Sequence, residues 1–313
     1  MTEINCSIVI CTYNQRSILE KVLGSIRRQI RTPRNFEIII ADDHSSDETE
    51  HYIKGLRFPI FLKYIRSQYQ SGRAENRNRG FEKAVGQWII CIDGDMAPDE
   101  NLIETYLSAF EKFDNSVFIG SVKNPKEWGL SRFEKYIYTR GRLSSGEICE
   151  IPGKYFTTNN FAIKREVFLQ SAGFDTQFKK WGGEDTDFGL RLEKAGFRIR
   201  YLPQATCYHF HRRPIDRVIE EYQEYGRYGV PILTSKHQDM TIFKNGWMLG
   251  LPSGEISLGK KLLSNLLRPL RSPIILKLLH LISRYRSGAL LNDIIIDWLL
   301  YGHLALGYGE SRK

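Results

Sequence analysis

The sequence predicts an α/β fold, because short apolar strands alternate with helix-like segments through its first hundred residues. The chain of 313 residues is 42% hydrophobic and 26% charged, which is enough to bury a large core. Polar residues follow directly after several of these strands. In doubly wound sheets, ligands bind at this position, so the chemistry is sought there.

Four strands and three helices are predicted in this first part. The strands cover residues 6–11, 36–41, 61–65 and 88–92, and the helices cover residues 17–29, 47–56 and 72–84. A dehydrogenase would carry a GxGxxG turn after its first strand, and this chain has Thr12-Tyr13-Asn14 there instead. The sequence therefore argues against an oxidoreductase.

The rest of the chain is predicted to extend this sheet and then become helical. We expect strands at 157–163 and 198–202, helices at 165–171 and 185–195, and a partly mobile excursion over the site at 123–153. Residues 258–285 and 289–306 have helical spacing, and Asp293 and Asp297 argue against a membrane span in the second. We predict one domain at 1–235, with two halves at about 1–120 and about 121–235, and a helical region at 236–313.

The net charge indicates what kind of partner the protein attracts, and the cysteines indicate the redox state of its compartment. The net charge of +9 attracts anionic partners of several kinds, and Lys and Arg crowd the stretch 260–286. The five cysteines are scattered without a CxxC pair, and the first residues lack a basic, apolar leader. We expect reduced core thiols in a cytoplasmic protein.

Asp93-Gly94-Asp95 follows the buried strand WIICI. Two carboxylates around a small residue at a strand end can reach one hard cation such as Mg²⁺ or Mn²⁺, which can bridge to a diphosphate. The same residues also suit an ordinary surface turn. Asp42 and Asp43 follow the second strand in the same way, where a carboxylate can accept a hydrogen bond from a base or ribose.

A second acidic motif is Trp181-Gly182-Gly183-Glu184-Asp185-Thr186-Asp187. Glycines allow close approach of a ligand, and acids that open a helix are favoured by its dipole. Asp185 is a candidate general base, and Trp181 a candidate platform for a sugar ring. The competing interpretation is an N-terminal helix cap.

Two histidines, His209 and His211, come late in this region, and imidazole is a common partner of carboxylates at a transition-metal site. Arg77 lies in a predicted basic helix start, where a guanidinium would suit a diphosphate.

Taken in order, these motifs resemble the family 2 glycosyltransferases of the GT-A fold, a mixed sheet flanked by helices. The resemblance runs from Ser7 to about Arg213. Its elements are CTYN (11–14), DDHSSDET (42–49), ENRNRG (75–80), DGD (93–95), GGEDTDFGLRLEKAG (182–196) and YHFH (208–211). Each motif alone is weak, whereas six in this order are specific.

The resemblance implies a nucleotide-sugar donor, usually UDP-linked, with Mn²⁺ or Mg²⁺, and inversion at the anomeric carbon. The implied donor-binding residues are Thr12, Tyr13, Asn14, Asp43, Arg77, Asp93 and Gly94, with Asp43 facing the uracil and Arg77 near the phosphates. The implied metal ligands are Asp95 and His209. His209 is preferred over His211 because it stands at the sequence distance after the Glu184-Asp185 pair that the family pattern has. Asp185 is the implied base, with Trp181, Gly183 and Glu184 on the acceptor side.

The WGGEDTDFG form also resembles galactosyl- and N-acetylgalactosaminyltransferases, which favours a hexose or N-acetylhexosamine. A nucleotidyltransferase and a non-catalytic nucleotide-sugar-binding protein are the alternatives. The acceptor stays open among glycans, lipid-linked substrates and peptides or natural products, and no nucleic-acid partner is expected. Residues 258–286 predict either peripheral membrane contact or packing against the protein or a dimer partner.

Overall fold

The computed structural model describes residues 4–30, 35–139, 146–237, 246–251, 257–285 and 293–312. These residues group into two compact units. The first unit lies within residues 1–128, 141–179 and 184–211, and the second within 129–140, 180–183 and 212–313. The segment 212–235 thus groups with the residues that follow it, and the predicted functional boundary at 235 stays a prediction.

The first unit is built on one mixed sheet, in which the described residues form nine strands. They are β1 (Cys6–Thr12), β2 (Phe36–Asp42), β3 (Leu62–Arg66), β4 (Trp88–Asp93), β5 (Met96–Pro98), β6 (Ser116–Lys123), β7 (Cys149–Glu150), β8 (Asn160–Lys164) and β9 (Arg198–His209). The order is β3-β2-β1-β4-β8-β6-β9-β5, with β7 on β9. Strands β1 to β4 are mutually parallel, as the alternation of strands and helices predicts.

Helices cover both faces of this sheet and complete its core. Those described in the first unit are α1 (Arg16–Arg28), α2 (Thr49–Gly55), α3 (Arg73–Glu82), α4 (Leu102–Lys112), α6 (Arg165–Gln170) and α7 (Glu184–Lys194), while α5 (Arg132–Thr139) belongs to the second unit. Alternate residues of β1 point to opposite layers: Ile8 and Ile10 join the cluster with α1 and α4, and Val9 joins the one with Phe81 of α3. Burial on both sides explains the unbroken apolar runs of β1, β2 and β4.

Two sequence predictions need correction. Strand β9 does not end at Leu202 but continues to His209, because a bulge absorbs Pro203: the register moves from Gly120 opposite Leu202 to Ser121 opposite Thr206. The predicted excursion at 123–153 contains α5 and β7, while 140–145 lie outside the described residues.

The second unit is helical. After α5 it contains α8 (Ile215–Glu224), a π-helical turn (Tyr225–Gly229), α9 (Val230–Lys236), α10 (Leu258–Leu266), α11 (Pro273–Tyr285) and α12 (Asp293–Glu310). Phe133 of α5 packs with Val218 of α8 and with Ile296 and Leu299 of α12. Among the helices described, none has both the length and the apolarity needed to cross a membrane.

Candidate active site

The carboxyl ends of β1, β2 and β4 meet at one edge of the sheet. Thr12 lies opposite Asp42, and Cys11 lies opposite Asp93. The polar segments after these strands are therefore neighbours, as expected for parallel strands that end together.

The first two of these segments are joined by hydrogen bonds. The backbone N–H of Asn14 donates to Ser45 Oγ (2.8 Å), and Asn14 Oδ1 accepts from the N–H of Ser46 (2.8 Å). Asn14 adopts the left-handed conformation (φ 51°), which Asn tolerates better than most residues. Beside it the Tyr13 ring is exposed. The edge therefore combines a fixed backbone with an aromatic surface that is open to solvent.

Asp43 is buried, and most of its hydrogen-bonding capacity is used within the protein. One carboxylate oxygen accepts from the N–H and the hydroxyl of Ser71 (both 2.8 Å), and the other accepts from the N–H of Gly72 (2.9 Å). A carboxylate offers about four acceptor positions, so one is left for a ligand N–H. Asp43 thus fixes the loop before α3, and its contact with a base stays a prediction.

Asp95 and His209 lie side by side at this edge. His209 Nε2 is 3.3 Å from Asp95 Oδ2, and Gln15 Nε2 donates to the same oxygen (3.1 Å). Pairing of β5 with β9 places them, because Met96 is directly opposite His209. The exposed His211 ring is centred 6.3 Å from that of His209.

Gly94 allows this arrangement by its lack of a side chain. A Cβ at this position would lie 2.7 Å from Gln15 Oε1 and 2.9 Å from Thr12 Oγ1. Such contacts are too short for a packed interior. The glycine between the two aspartates is therefore a packing requirement as well as a turn residue.

The electrostatics of Asp95 favour a metal ligand. Burial opposes its ionisation, but the hydrogen bond and charge of His209, with His211 and Arg73, hold its pKa below the ordinary value. A carboxylate oxygen and an imidazole nitrogen suit Mn²⁺ or a similar ion. Within the described residues, no group of three or more His, Cys, Asp or Glu is placed to hold a metal ion together.

Arg77 joins the two acidic motifs. Its guanidinium donates to Asp93 Oδ1 (3.0 Å) and to Glu184 Oε1 (3.2 Å), and both Arg77 and Glu184 are buried. Burial opposes the charge of Arg77, yet these two acids raise its pKa well above the ordinary value. The guanidinium thus brings the first turn of α7 beside the carboxyl end of β4.

Three buried polar atoms beside this ion pair have no hydrogen-bond partner among the described residues. They are Arg77 Nε, Glu184 Oε2 and Thr12 Oγ1. Since an unpaired buried polar atom costs about 1–3 kcal/mol, such atoms are expected where a ligand or water completes the network.

Asp185 is the second residue of α7 and is half-buried. Burial and the neighbouring charge of Glu184 raise its pKa from 3.8 to about 7, although the N–H of Thr186 and the charge of Arg77 oppose the shift. A carboxyl group with this pKa exchanges a proton near neutral pH, which suits a general base.

Trp181 and Gly183 belong to the second unit. The Trp181 ring lies 5.7 Å from that of Tyr222 and 5.9 Å from that of Tyr225, and the Arg213 guanidinium lies 5.2 Å from its centre. Trp181 is thus held by protein side chains, and its role as a sugar platform stays a prediction.

Comparison with known proteins gives the class of this site. The family described as "Glycosyl transferase family 2" matches residues 7–180, more than half of the chain. The chain belongs to glycosyl transferase family 2. Its family and GT-A fold confirm the resemblance seen in the sequence.

The chain spans half or less of the length of two curated relatives that it matches. It is 26% identical over 242 residues to "Chondroitin synthase" of Escherichia coli, covering 65% of this chain but 34% of that protein. It is 24% identical over 220 residues to "Validoxylamine A glucosyltransferase" of Streptomyces hygroscopicus subsp. limoneus, covering 61% of this chain and 48% of that protein.

Solved structures share the fold at low identity. The mannosyltransferase PcManGT from Pyrobaculum calidifontis, in complex with GDP-Man and Mn²⁺, has a TM-score of 0.62 and 15% identity, over 99% of this chain and 87% of that one. GalNAc-T7 with UDP, GalNAc and Mn²⁺ has a TM-score of 0.56 and 21% identity, over 83% of this chain and 54% of that one.

Two residues at this edge of the sheet were not predicted from the sequence, Gln15 and Asn159. Gln15 contacts Asp95, and Asn159 O accepts from the N–H of Asp93 (3.1 Å) while its own Oδ1 is buried without a partner among the described residues. Gln15 directly follows the CTYN motif, which was the available signal. Asn159 gave none, because its place depends on antiparallel pairing of β8 with β4.

Proposed function

We propose that this glycosyltransferase transfers a hexose or N-acetylhexosamine from a UDP-sugar to an acceptor nucleophile, with inversion. The UDP in GalNAc-T7 and the UDP-GlcNAc in S. aureus TarS support this donor class. Because PcManGT contains GDP-Man, GDP-sugars are also candidate donors to be tested. The chondroitin and hyaluronan synthase names among the relatives support hexose-type sugars and a glycan acceptor.

The observation that carries the proposal is the bridge made by Arg77. It holds Asp93, at the strand edge where donors bind in such sheets, beside Glu184, the neighbour of Asp185. A donor-binding edge and a carboxylate with a pKa near neutrality are what a transfer from a nucleotide sugar requires.

Donor binding is proposed at the strand edge. The residues assigned to it are Thr12, Tyr13, Asn14, Asp43, Asp93 and Gly94. Arg77 was predicted beside the donor phosphates, but its guanidinium is buried against two acids. Its contacts support a role in positioning those acids, and its predicted place near the donor phosphates stays a prediction.

Asp95 and His209 would hold Mn²⁺ or Mg²⁺. The fit rests on the ionised state of Asp95, on the mixed oxygen and nitrogen donors, and on the small number of protein ligands, which leaves positions for a diphosphate. When bound, the cation supplies charge neutralisation for the leaving diphosphate. The nitrogen donor favours Mn²⁺ over Mg²⁺, because Mg²⁺ prefers oxygen.

The chemical step uses Asp185. Its carboxylate accepts the proton of the acceptor hydroxyl while that oxygen attacks the anomeric carbon, and the bond from this carbon to the diphosphate oxygen breaks. Glu184 and Trp181 are proposed on the acceptor side, with Gly183 giving close approach. A single displacement of this kind inverts the anomeric centre.

The test is release of nucleoside diphosphate from a panel of UDP-, GDP- and dTDP-sugars, with Mn²⁺, with Mg²⁺ and with EDTA. We expect UDP from one sugar, dependent on metal and lost in Asp95→Asn. Glu100→Gln is the control, because it makes the same chemical change at an exposed residue five positions further on.

Other outcomes identify the alternatives. Release of pyrophosphate would show a nucleotidyltransferase. Donor binding by calorimetry without turnover, in the presence of glycan, lipid-linked and peptide acceptors, would show a binding protein. Cytoplasmic location and a homodimer stay predictions.

A further inference from the structure

Exposed apolar side chains are concentrated in one segment of the second unit. Eight of the sixteen large apolar residues that are exposed in the described structure lie between residues 258 and 281. The eight are Leu258, Leu262, Leu263, Leu266, Leu270, Ile274, Leu278 and Leu281. Single exposed apolar residues are normal, but a cluster of this kind marks an interaction surface.

The cluster is ordered along the chain. Six of its members follow one another at intervals of four, from Leu258 through α10, the 3₁₀ turn Arg268–Arg271 and into α11, ending at Leu278. Within α10 and within α11, residues four apart are neighbours on one face of the helix. We call these eight residues the apolar stripe.

In helix α11, the residues of the apolar stripe are different from the residues that pack inside the second unit. Leu276 is fully buried and Leu279 packs against the core with Phe133, whereas Ile274 and Leu278 are 80% and 55% exposed. The helix therefore has one apolar face inside the unit and a second one towards solvent.

The charge around the stripe is of one sign. Residues 257–292 contain seven Lys or Arg and no Asp or Glu, so they carry +7 of the net +9 of the chain. Lys260, Lys261, Arg268 and Lys277 are exposed next to the stripe, and Lys260 also lies over the Trp247 ring.

We propose that the stripe and its basic residues bind the surface of an anionic lipid bilayer, with α10 and α11 lying in the plane of the membrane. Apolar side chains would enter the headgroup and acyl boundary, and each Lys or Arg near the anionic surface would strengthen the binding by charge attraction. A second copy of the chain is a poorer occupant, because two such segments would bring like charges together.

The experiment is flotation of the full chain with vesicles of neutral phosphatidylcholine and with vesicles containing 30% phosphatidylglycerol. We expect flotation with the anionic vesicles, at least tenfold less with the neutral ones, and release between 0.1 and 0.5 M NaCl as the charges are screened.

Two double variants separate the contributions. Lys260→Glu with Lys261→Glu, and Leu262→Ser with Leu266→Ser, should each lower the floated fraction at least tenfold. Their controls are Lys112→Glu with Lys126→Glu, and Phe61→Ser with Leu169→Ser, which change exposed residues of the same types in the first unit. All four are surface changes, and circular dichroism checks that each variant is folded.

The proposal is overturned if the chain does not float, or floats equally with both vesicles. A dimer in solution that dissociates in Leu262→Ser with Leu266→Ser would assign the stripe to a second copy instead. Because flotation requires no donor, either result is independent of the proposed transferase activity.

Discussion

Two carboxylates in the first unit, Asp95 and Asp185, have opposite environments. Asp95 has His209 beside it and a pKa below the ordinary value, whereas Asp185 has the acid Glu184 beside it and a pKa of about 7. Burial favours a higher pKa for both groups: at Asp185 it is the largest cause and Glu184 adds to it, whereas at Asp95 the hydrogen bond and charge of His209 outweigh it.

The difference assigns separate tasks to the two groups. A carboxylate that stays ionised can hold a cation, and one that exchanges a proton near neutrality can act as a base. Arg77 contacts the neighbours of both, Asp93 and Glu184, and so connects the two environments. Substitutions at Asp185, at Arg77 and beside Asp95 should therefore have different effects.

The largest effect is expected for Asp185→Asn. Loss of the base should lower kcat about 10²–10⁴-fold, while donor affinity measured by calorimetry changes little. Glu193→Gln, at an exposed position of the same helix, is the control and should keep normal turnover. Near-normal kcat in Asp185→Asn would show that another group takes the proton.

Removing the Arg77 guanidinium should destabilise the protein. Arg77→Met leaves Asp93 and Glu184 without their cation, and loss of one partner from a buried pair costs about 3–5 kcal/mol in the free energy of unfolding, measured by urea denaturation. Arg79→Met is the control on the same helix, since Arg79 pairs with the half-exposed Glu75, and pairs that are open to solvent contribute about 1 kcal/mol or less. Equal losses in both variants would contradict the central role of Arg77.

A change confined to the Asp95 environment is Gly94→Ala. The new methyl group must displace Gln15 and Thr12, so we expect a loss of about 1–3 kcal/mol in the free energy of unfolding and weaker Mn²⁺ binding by calorimetry. Gly24→Ala, in helix α1 with no atom within 4 Å of the added Cβ, should be neutral or stabilising. Unchanged Mn²⁺ affinity in Gly94→Ala would separate this turn from the metal site.

The sequence predicted the elements that depend on local pattern. Buried parallel strands give unbroken apolar runs, so β1, β2 and β4 were found, and with them the shared edge that holds Thr12, Asp42 and Asp93. The family resemblance then supplied roles for Asp95, Asp185 and His209, and the structure places His209 next to Asp95.

What the sequence could not predict depends on contacts between distant segments. Pro203 predicted the end of a strand, but β9 continues through a bulge that contains it, and this bulge depends on the pairing of β9 with β6. The bridge from Arg77 spans 107 residues to Glu184, and the raised pKa of Asp185 follows from burial that only the folded chain creates.

The smallest effect expected is a pH dependence that distinguishes the two carboxylates. With Mn²⁺ saturating, kcat/KM should fall about tenfold per pH unit below the Asp185 pKa of about 7, because the base is then protonated, and should be level above it. The residual activity of Asp185→Asn should lack this slope. A flat kcat/KM profile of the unsubstituted protein down to pH 5 would show that Asp185 does not take the proton.

The pH dependence of stability should have the opposite sign. Between pH 3.8 and about 7, the folded state holds a proton on Asp185 that the unfolded state has lost, so the contribution of this group to stability decreases as pH rises through that range. Urea denaturation at pH 5 and pH 8 should therefore show that Asp185→Asn gains stability relative to the unsubstituted protein at the higher pH.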